Sequence, residues 1–376
     1  MFLFKKKPKS YLGIDLSASA IKLVELEKKE ERYHLKNYAI YSLKDYYKEE
    51  NQSKSFKFIN LSNEEISEMI KEAINRSEIE SRNVCFSIPV YSSFSTVINL
   101  PVMSKKEIDS SIPFEVEKYV PIPLSEIILD WSIIDPPSDV SEKKIEQKSL
   151  DSSKSKSKID KEKPKQEILL IAVPKEIVNS YKNIVNLTGL KLGAVEEETF
   201  SLSRSLIGND KVHTLLIDAG FRSINVSIID NGYIKAIHNL EMGGIKINEV
   251  IAEQMNISVE EAEEIKIKFS NNELSDIQKN KLAESIKPVF YNIITEIKKI
   301  IDVYQIKHNK KIERCILTGG SFKFPGFADF LKSELAIDTF LGNPFARVTY
   351  NSLLEPVIKE LGPLLSVAIG LAMREG

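Results

Sequence analysis

The chain has 376 residues, of which 42% are hydrophobic and 28% are charged, as in soluble globular proteins. This length exceeds one ordinary hydrophobic core, so we expect two lobes or several subdomains. The formal net charge of -2 gives no general attraction to nucleic acid or anionic lipid, and two cysteines are too few for a disulfide framework or a thiolate metal site.

The apolar segments of the chain are too short for membrane targeting or insertion. The opening MFLFKKKPKS has a four-residue apolar stub before its lysines, well short of the apolar core of a secretory signal. The longest uncharged apolar stretch, 361–373, is also shorter than the roughly 17–25 residues that span a bilayer. We therefore expect a cytosolic protein that docks on a membrane complex.

The first predicted elements are the two strands of a hairpin in GIDLSASAIKLVEL (13–26). One strand ends at Asp15, and a tight turn over 16–19 leads into an Ile-, Leu- and Val-rich return strand. Backbone amides in such a turn can hold phosphate oxygens, and Lys22 adds a point charge. Asp15 could hold a metal-bound water. A hairpin with a solvated Asp stays open as the alternative, because no Walker loop or Rossmann fingerprint in the chain supports a phosphate site independently.

The stretch 95–187 has the order strand, helix, strand, strand, helix. This order predicts a small α/β subdomain inserted into a first lobe that begins with residues 1–94. Residues 136–166 interrupt the subdomain with many lysines and serines and no aromatic residue, so we expect a disordered loop there. A basic tether for an acidic partner is the alternative interpretation of that loop.

A connector helix over 188–211 is expected to complete the first lobe. The acidic run 196–198 precedes a helix start, where carboxylates complement the helix dipole. The same run could instead position the water that attacks a γ-phosphate.

The second lobe, 212–345, opens on a repeat of the first arrangement in LLIDAGFRSINVSII (215–229). Asp218 ends a strand, and Gly220 permits a close approach of the backbone to a phosphate. Asp218 could be a second carboxylate near Mg²⁺, which prefers oxygen ligands and keeps several waters. One such hairpin is ordinary, whereas two of them, each opening a lobe, indicate a shared site.

A third phrase, CILTGGSFKFPGF (315–327), joins a strand to a glycine-rich turn. Gly319 and Gly320 leave a bare backbone surface on which an adenine ring can lie. Glu263 and Lys266 are spaced i, i+3 on a predicted helix, so they face one direction and could contact the ribose and base. A surface salt bridge worth under about 1 kcal/mol is the alternative. The last segment, 346–376, is expected to pack a closing helix on the first lobe.

Taken in order, these phrases are similar to the actin, heat-shock chaperone and sugar kinase superfamily. More closely, the chain resembles the PilM family, the cytoplasmic actin-like proteins of type IV pilus assembly. The most discriminating segment is IPFEVEKYVPIPLSEIILDW (112–131), which marks the inserted subdomain shared with that family and, more distantly, with FtsA. The resemblance implies an α/β, actin-like two-lobed fold, with ribonuclease H-like halves and a small inserted α/β subdomain in lobe one.

The resemblance also implies that ATP and Mg²⁺ bind between the lobes, with Asp15 and Asp218 holding the metal through water. Glu198 falls near the superfamily's water-positioning residue. Many relatives have Gly in place of Ser17, where it tightens the phosphate turn, so at most a slow ATPase is expected. The implied nucleotide contacts are Asp15, Ser17, Ser19, Lys22, Asp218, Gly220, Ser223, Gly243, Gly244, Glu263, Lys266, Gly319, Gly320 and Phe322.

PilM-like proteins bind the cytoplasmic tail of the inner-membrane protein PilN in a groove between the first lobe and the inserted subdomain. By that resemblance, Phe114, Val116 and Tyr119 are expected to line the groove. The implied function is an ATP-binding scaffold, peripheral at the inner membrane, with the pilus motor ATPases and further copies of the chain as possible partners. Two alternatives stay open: an FtsA-like cell-division filament, which calls for a basic amphipathic helix after the core, and a small-molecule kinase, which calls for a catalytic Asp in a substrate cleft.

Overall fold

The structure, a computed structural model, describes residues 9–43, 61–120, 122–134, 164–321 and 327–374. Phe322 and nearly all of the expected loop 136–166 lie outside these residues. The end of that range differs from expectation, since Lys165 and Gln166 already belong to a strand.

Strands and helices follow one another along the chain in runs of one to three elements. The strands are β1 (Lys9–Leu16), β2 (Ala20–Lys29), β3 (Arg32–Ser42), β4 (Asn83–Ile88), β5 (Phe94–Pro101), β6 (Ile127–Ile134), β7 (Lys165–Pro174), β8 (Lys191–Glu197), β9 (Thr214–Ala219), β10 (Ile224–Asp230), β11 (Tyr233–Leu240), β12 (Arg314–Thr318), β13 (Thr339–Leu341) and β14 (Val348–Thr349). The α-helices are α1 (Asn63–Arg76), α2 (Lys105–Val116), α3 (Lys175–Thr188), α4 (Glu198–Leu202), α5 (Gly244–Met255), α6 (Val259–Ser270), α7 (Asp276–His308), α8 (Phe327–Leu335) and α9 (Ile358–Ala372).

The first lobe is built on a sheet that has, within the described residues, the strand order β14-β3-β2-β1-β4-β8. Side chains alternate across β1, so Leu12, Ile14 and Leu16 join the core formed with α1 and α3. Gly13 faces the opposite side, where a Cβ would overlap the backbone of α9. The glycine therefore lets α9 lie directly on β1, the strand that carries Asp15 near its end.

The second lobe has a mixed sheet whose described strands follow the order β11-β10-β9-β12-β13. Its largest core is formed by the sheet with α5, α6, α7 and α8. A tight hairpin turn joins β10 to β11, since Asn231 and Gly232 both have positive φ, as such a turn requires.

The inserted subdomain is an antiparallel sheet with the order β5-β7-β6 among the described strands, and α2 packs on one face. The helix α3 follows β7 directly, but its buried side chains join the core of the first lobe beside α1. The inserted unit therefore ends near Pro174 rather than at residue 187. An amphipathic pattern shows that a helix has an apolar face, and it does not show which core that face joins.

The prediction of a connector helix throughout 188–211 is wrong for its first half. Gly189 ends α3 with a left-handed backbone, and β8 then pairs in parallel with β4. Helical structure begins only at Glu198, with α4 and a π-helical turn over Ser203–Ile207. The open edge of β4 supplies hydrogen-bond partners for this segment, and that long-range pairing overrides its local helical appearance.

The two lobes and the inserted sheet meet in one apolar cluster. Cys85 of β4, Leu169 of β7, Leu216 of β9 and Leu371 of α9 all belong to it. The polar side of the junction includes a hydrogen bond of 2.9 Å between the hydroxyls of Thr318 and Ser366. No helix in the described ranges has the length and apolar character needed to cross a membrane.

Candidate functional site

The first hairpin brings Asp15 and Lys22 together, because they are cross-strand partners in the register of β1 and β2. Lys22 Nζ lies 2.9 Å from Asp15 Oδ2, and the Ser87 hydroxyl donates to Asp15 Oδ1 at 2.8 Å. All three residues are buried or nearly so. The hydroxyl of Ser17 donates to the Ala20 carbonyl at 2.8 Å, so it closes the turn instead of pointing outward as a phosphate donor.

Asp218 stands at the matching position of the second lobe, near the end of β9. Its neighbours in the sheet are Asn225 of β10 and Thr318 of β12. Burial raises the pKa of Asp218 to about 6, although the positive charge of Lys22 acts to lower it. Burial alone would lower the pKa of Lys22, but the charge and hydrogen bond of Asp15, with the charges of Asp218 and Glu198, raise it. Groups from both lobes therefore form one electrostatic cluster.

Glu198 completes the cluster from the start of α4. Its Oε1 accepts hydrogen bonds from the backbone amide of Val90 at 3.1 Å and from Asn225 Nδ2 at 2.6 Å. Asn239 Nδ2 donates to Asn225 Oδ1 at 2.7 Å, which fixes the orientation of that amide. Burial, followed by the charges of Asp218 and Asp15, raises the pKa of Glu198 well above its ordinary range.

The three glutamates of the run 196–198 have different partners. Glu196 pairs with Arg204 and Arg374, and Glu197 accepts a hydrogen bond of 2.7 Å from the Ser93 hydroxyl. Glu197 is also the residue before α4, yet its side chain makes no capping hydrogen bond. Glu198 lies in the first turn of α4, where a carboxylate complements the helix dipole as expected, and it is also the one of these three glutamates that hydrogen-bonds across to the second lobe.

Glu263 and Lys266 do form the ion pair that their spacing allows, with 2.5 Å between Oε2 and Nζ. The pair is part-buried, and Asn248 bridges it by accepting a hydrogen bond from Lys266 at 2.8 Å and donating one to Glu263 at 2.7 Å. A Cβ on Gly244, the first residue of α5, would lie 2.5 Å from Ser321 Oγ and 3.5 Å from Lys266 Nζ. The pair therefore faces the start of α5 and is not a solvated surface bridge.

The glycines of the site allow backbone segments to approach one another closely. A Cβ on Gly243 would overlap the second hairpin turn at Arg222 and Ser223, so α5 begins directly against that turn. Gly319 has φ of +93°, and its Cβ would overlap Asp218 Oδ1. Gly319 thus lets β12 end beside the carboxylate, and Gly320 has an open neighbourhood with Leu364 at 3.4 Å.

Several residues of the site have no counterpart in the sequence-based prediction. These are Ser87, Asn225, Asn248 and Ser321, the last of which donates to the Gly220 carbonyl at 2.9 Å. One signal was available for Asn225, since it is a polar residue inside the apolar strand INVSIID, opposite Asp218 in a hairpin. The others come from segments that meet only in the folded chain.

The residues fit a nucleotide with a divalent cation. Asp15, Glu198 and Asp218 are three buried carboxyl groups that share the single ammonium of Lys22. Within the described ranges, no group of three or more acidic, His or Cys side chains is arranged to hold a metal ion alone. Carboxylates that reach Mg²⁺ through water, with phosphates as further ligands, suit this arrangement. The start of α5 beside the second turn is also a favourable place for a phosphate.

The residues expected to contact a partner differ in exposure. Phe114 is 72% exposed and Tyr119 is 46% exposed, whereas Val116 is 0% exposed and lies in the core of the inserted subdomain. The prediction that Val116 lines a groove is therefore wrong. With 3.6 residues per turn, positions 114 and 116 of a helix point in nearly opposite directions.

Comparisons with known proteins agree with this architecture. The family model described as "Type IV pilus assembly protein PilM" matches residues 13–376. The "PilM-PilN type IV pilus biogenesis complex" is similar in structure, with a TM-score of 0.78 and 22% identity over 97% of this chain and 98% of that chain. Ethanolamine utilization protein EutJ from Carboxydothermus hydrogenoformans has a TM-score of 0.55 and 15% identity over 97% of this chain and 90% of that chain. The fold is the expected actin-like, two-lobed α/β fold.

Proposed function

The chain belongs to the family of the type IV pilus assembly protein PilM, and from that membership we propose that it is an ATP-binding scaffold of the pilus inner-membrane assembly complex. The observation that carries the nucleotide half is the cluster of Asp15, Lys22, Glu198 and Asp218 between two hairpin turns. Two lobes contribute to one buried charged site, as a fold that closes over a ligand requires.

Each part of the site has a role in this proposal. Lys22 and the turns 17–19 and 220–223 would hold the phosphates, and Asp15 and Asp218 would hold Mg²⁺ through water. The bound cation supplies positive charge that offsets the phosphates and the buried carboxylates. Glu263 and Lys266 would contact the ribose and base near Gly244 and the turn at Gly319 and Gly320. Glu198 would orient a water, so slow hydrolysis is compatible with the arrangement.

The scaffold half of the proposal concerns the cytoplasmic tail of a PilN-like membrane protein. The structural neighbour was solved as a PilM-PilN complex. Here Phe114 and Tyr119 leave apolar surface exposed on or just after α2 of the inserted subdomain. A tail that adds alongside a strand would gain main-chain hydrogen bonds together with side-chain pockets. Such a partner would place the chain at the cytoplasmic face of the inner membrane, within reach of the pilus motor ATPases and further copies of the chain.

Isothermal titration of the chain with Mg·ATP tests the nucleotide half. We expect binding by the wild type and at least about a tenfold loss of affinity in Asp218→Ala, because a charged hydrogen-bonding group is removed. Asp302→Ala, which changes an exposed aspartate of α7, is the control and should bind like the wild type. No binding by the wild type would refute this half of the proposal.

Fluorescence titration with a labelled peptide of the PilN-like tail tests the partner half. Phe114→Asp and Tyr119→Ala should each weaken peptide binding, since they remove exposed apolar contacts. Leu353→Asp is the matched control, because Leu353 is another exposed apolar residue, outside the inserted subdomain. Peptide binding that is unchanged in the Phe114 and Tyr119 variants would argue against this surface.

A further inference from the structure

Three buried side-chain polar atoms of the described residues have no hydrogen-bond partner. They are the Tyr91 hydroxyl, the Ser92 hydroxyl and Glu197 Oε1. Tyr91 and Ser92 lie in the 3-10 turn Val90–Ser92, which joins β4 of the first lobe to β5 of the inserted subdomain. A buried polar atom without a partner costs free energy, so the Tyr91 hydroxyl points to a ligand or water that would complete its hydrogen bonding.

The Tyr91 side chain lies beside the charged cluster of the cleft. Its neighbour Val90 donates its amide to Glu198 Oε1 at 3.1 Å. Burial raises the pKa of Tyr91, and the charges of Glu198 and Asp15 raise it further, whereas the positive charge of Arg222 lowers it. The hydroxyl is therefore a protonated donor within electrostatic reach of the carboxyl groups of Glu198 and Asp15.

Arg222 connects Tyr91 to the second hairpin turn. Its guanidinium carbon lies 4.6 Å from the centre of the Tyr91 ring, over the ring face. Arg222 belongs to the turn 220–223, whose backbone packs against Gly243 at the start of α5. A hydroxyl donor next to a guanidinium suits an anionic oxygen acceptor, because charged hydrogen bonds of this kind are short and strong.

We propose that Tyr91 and Arg222 form a terminal-phosphate sensor, in which the Tyr91 hydroxyl donates a hydrogen bond to the last phosphate of a bound nucleoside triphosphate and Arg222 supplies a matching charge. The inference rests on the proposed nucleotide function and adds to it the means of distinguishing the triphosphate from the diphosphate. The terminal phosphate is the one concerned because Tyr91 adjoins Glu198, the residue assigned to the attacking water.

The position of the sensor gives it a regulatory consequence. The turn Val90–Ser92 continues through Ser93 into β5, so it carries the inserted subdomain with its exposed Phe114. A diphosphate lacks the acceptor for Tyr91. The contacts of Tyr91, which connect the turn Val90–Ser92 to Arg222 of the second lobe, would therefore differ between the triphosphate and diphosphate states.

Tyr91→Phe removes one oxygen and is the sharpest test. Isothermal titration with Mg²⁺ should show that affinity for a non-hydrolysable ATP analogue falls by about tenfold, while affinity for ADP changes by less than about twofold. Arg222→Gln should shift the same ratio in the same direction. Tyr350→Phe, which removes an exposed hydroxyl bonded to Glu355, is the control and should leave both affinities unchanged.

The outcomes separate the sensor from the proposed function. If the wild type binds both nucleotides and Tyr91→Phe leaves their affinity ratio unchanged, the sensor is refuted and the nucleotide site stands. An equal loss for both nucleotides also refutes it, because the hydroxyl then supports the site as a whole. If the wild type binds neither nucleotide, the proposed function itself fails. Thermal unfolding of each variant verifies that folding is unchanged.

Discussion

The buried carboxyl of Glu197 gives a stability prediction that needs no ligand. Glu197 is 3% exposed, and burial raises its pKa from the ordinary value of 4.5 to about 7 despite the hydrogen bond from Ser93. An acid with a raised folded-state pKa contributes stability that is fully present below about pH 4.5 and is lost as the pH rises through about 7. The difference between these values corresponds to about 3 kcal/mol of unfolding free energy.

Glu197→Gln keeps the shape of the side chain and removes its ionisation. We expect the unfolding free energy of the variant minus that of the wild type to rise by about 2–3 kcal/mol between about pH 5 and about pH 8.5, because only the wild type loses the contribution of Glu197. Urea unfolding followed by circular dichroism at both pH values measures this change. Glu284→Gln, at a side chain that is 77% exposed, should follow the wild type within about 0.5 kcal/mol. A Glu197→Gln difference that is equal at both pH values would refute the reasoning.

Two further predictions concern packing. Gly370→Ala should lower the unfolding free energy by about 2 kcal/mol, since its Cβ would overlap the backbone of α4, whereas Gly362→Ala on the same helix has only ordinary contacts and should be neutral or slightly stabilising. Thermal unfolding measures both variants, and equal changes of unfolding temperature in Gly370→Ala and Gly362→Ala would contradict this prediction. Val116→Ala should cost about 2 kcal/mol because Val116 is fully buried, while Phe114→Ala should leave stability nearly unchanged, and equal losses in urea unfolding would show that the assigned faces of α2 are wrong.

Local patterns predicted those parts of the fold that depend on neighbouring residues. Ser62, Ser104 and Ser258 each have Glu three residues later, a local pattern that is typical of a capping box, and the structure has a capping box at each of them. The strand β8 was missed because its pairing with β4 involves residues about a hundred positions apart. The prediction for Val116 was wrong because it depended on a family resemblance of the segment 112–131, whereas the helical period of α2 puts this residue on the buried face.

The same distinction holds for the site. Asp15 and Lys22 were predictable as a pair, because two strands joined by a tight turn have a defined register. Asn248 and Ser87 were not, since each reaches its partner from a separate element. Tyr91 had no signal at all in the sequence, because its significance depends on being buried without a partner beside residues from two lobes.

One oxygen of Glu198 connects the first lobe, the second lobe and the turn that leads to the inserted subdomain. Glu198 belongs to the first lobe, and its Oε1 accepts hydrogen bonds from the Val90 amide in the turn Val90–Ser92 and from Asn225 in the second lobe. A relative movement of the lobes must therefore change the hydrogen bonds of this turn, unless both donors move together. Ser366 of α9 is bonded to Thr318 of the second lobe and, through its carbonyl, to the Ser205 hydroxyl of the first. The helix α9 thus connects the two lobes beside the site. Closure of the lobes over a nucleotide would therefore act most directly on the turn Val90–Ser92, which leads into the inserted subdomain, so no other element is needed to transmit the movement.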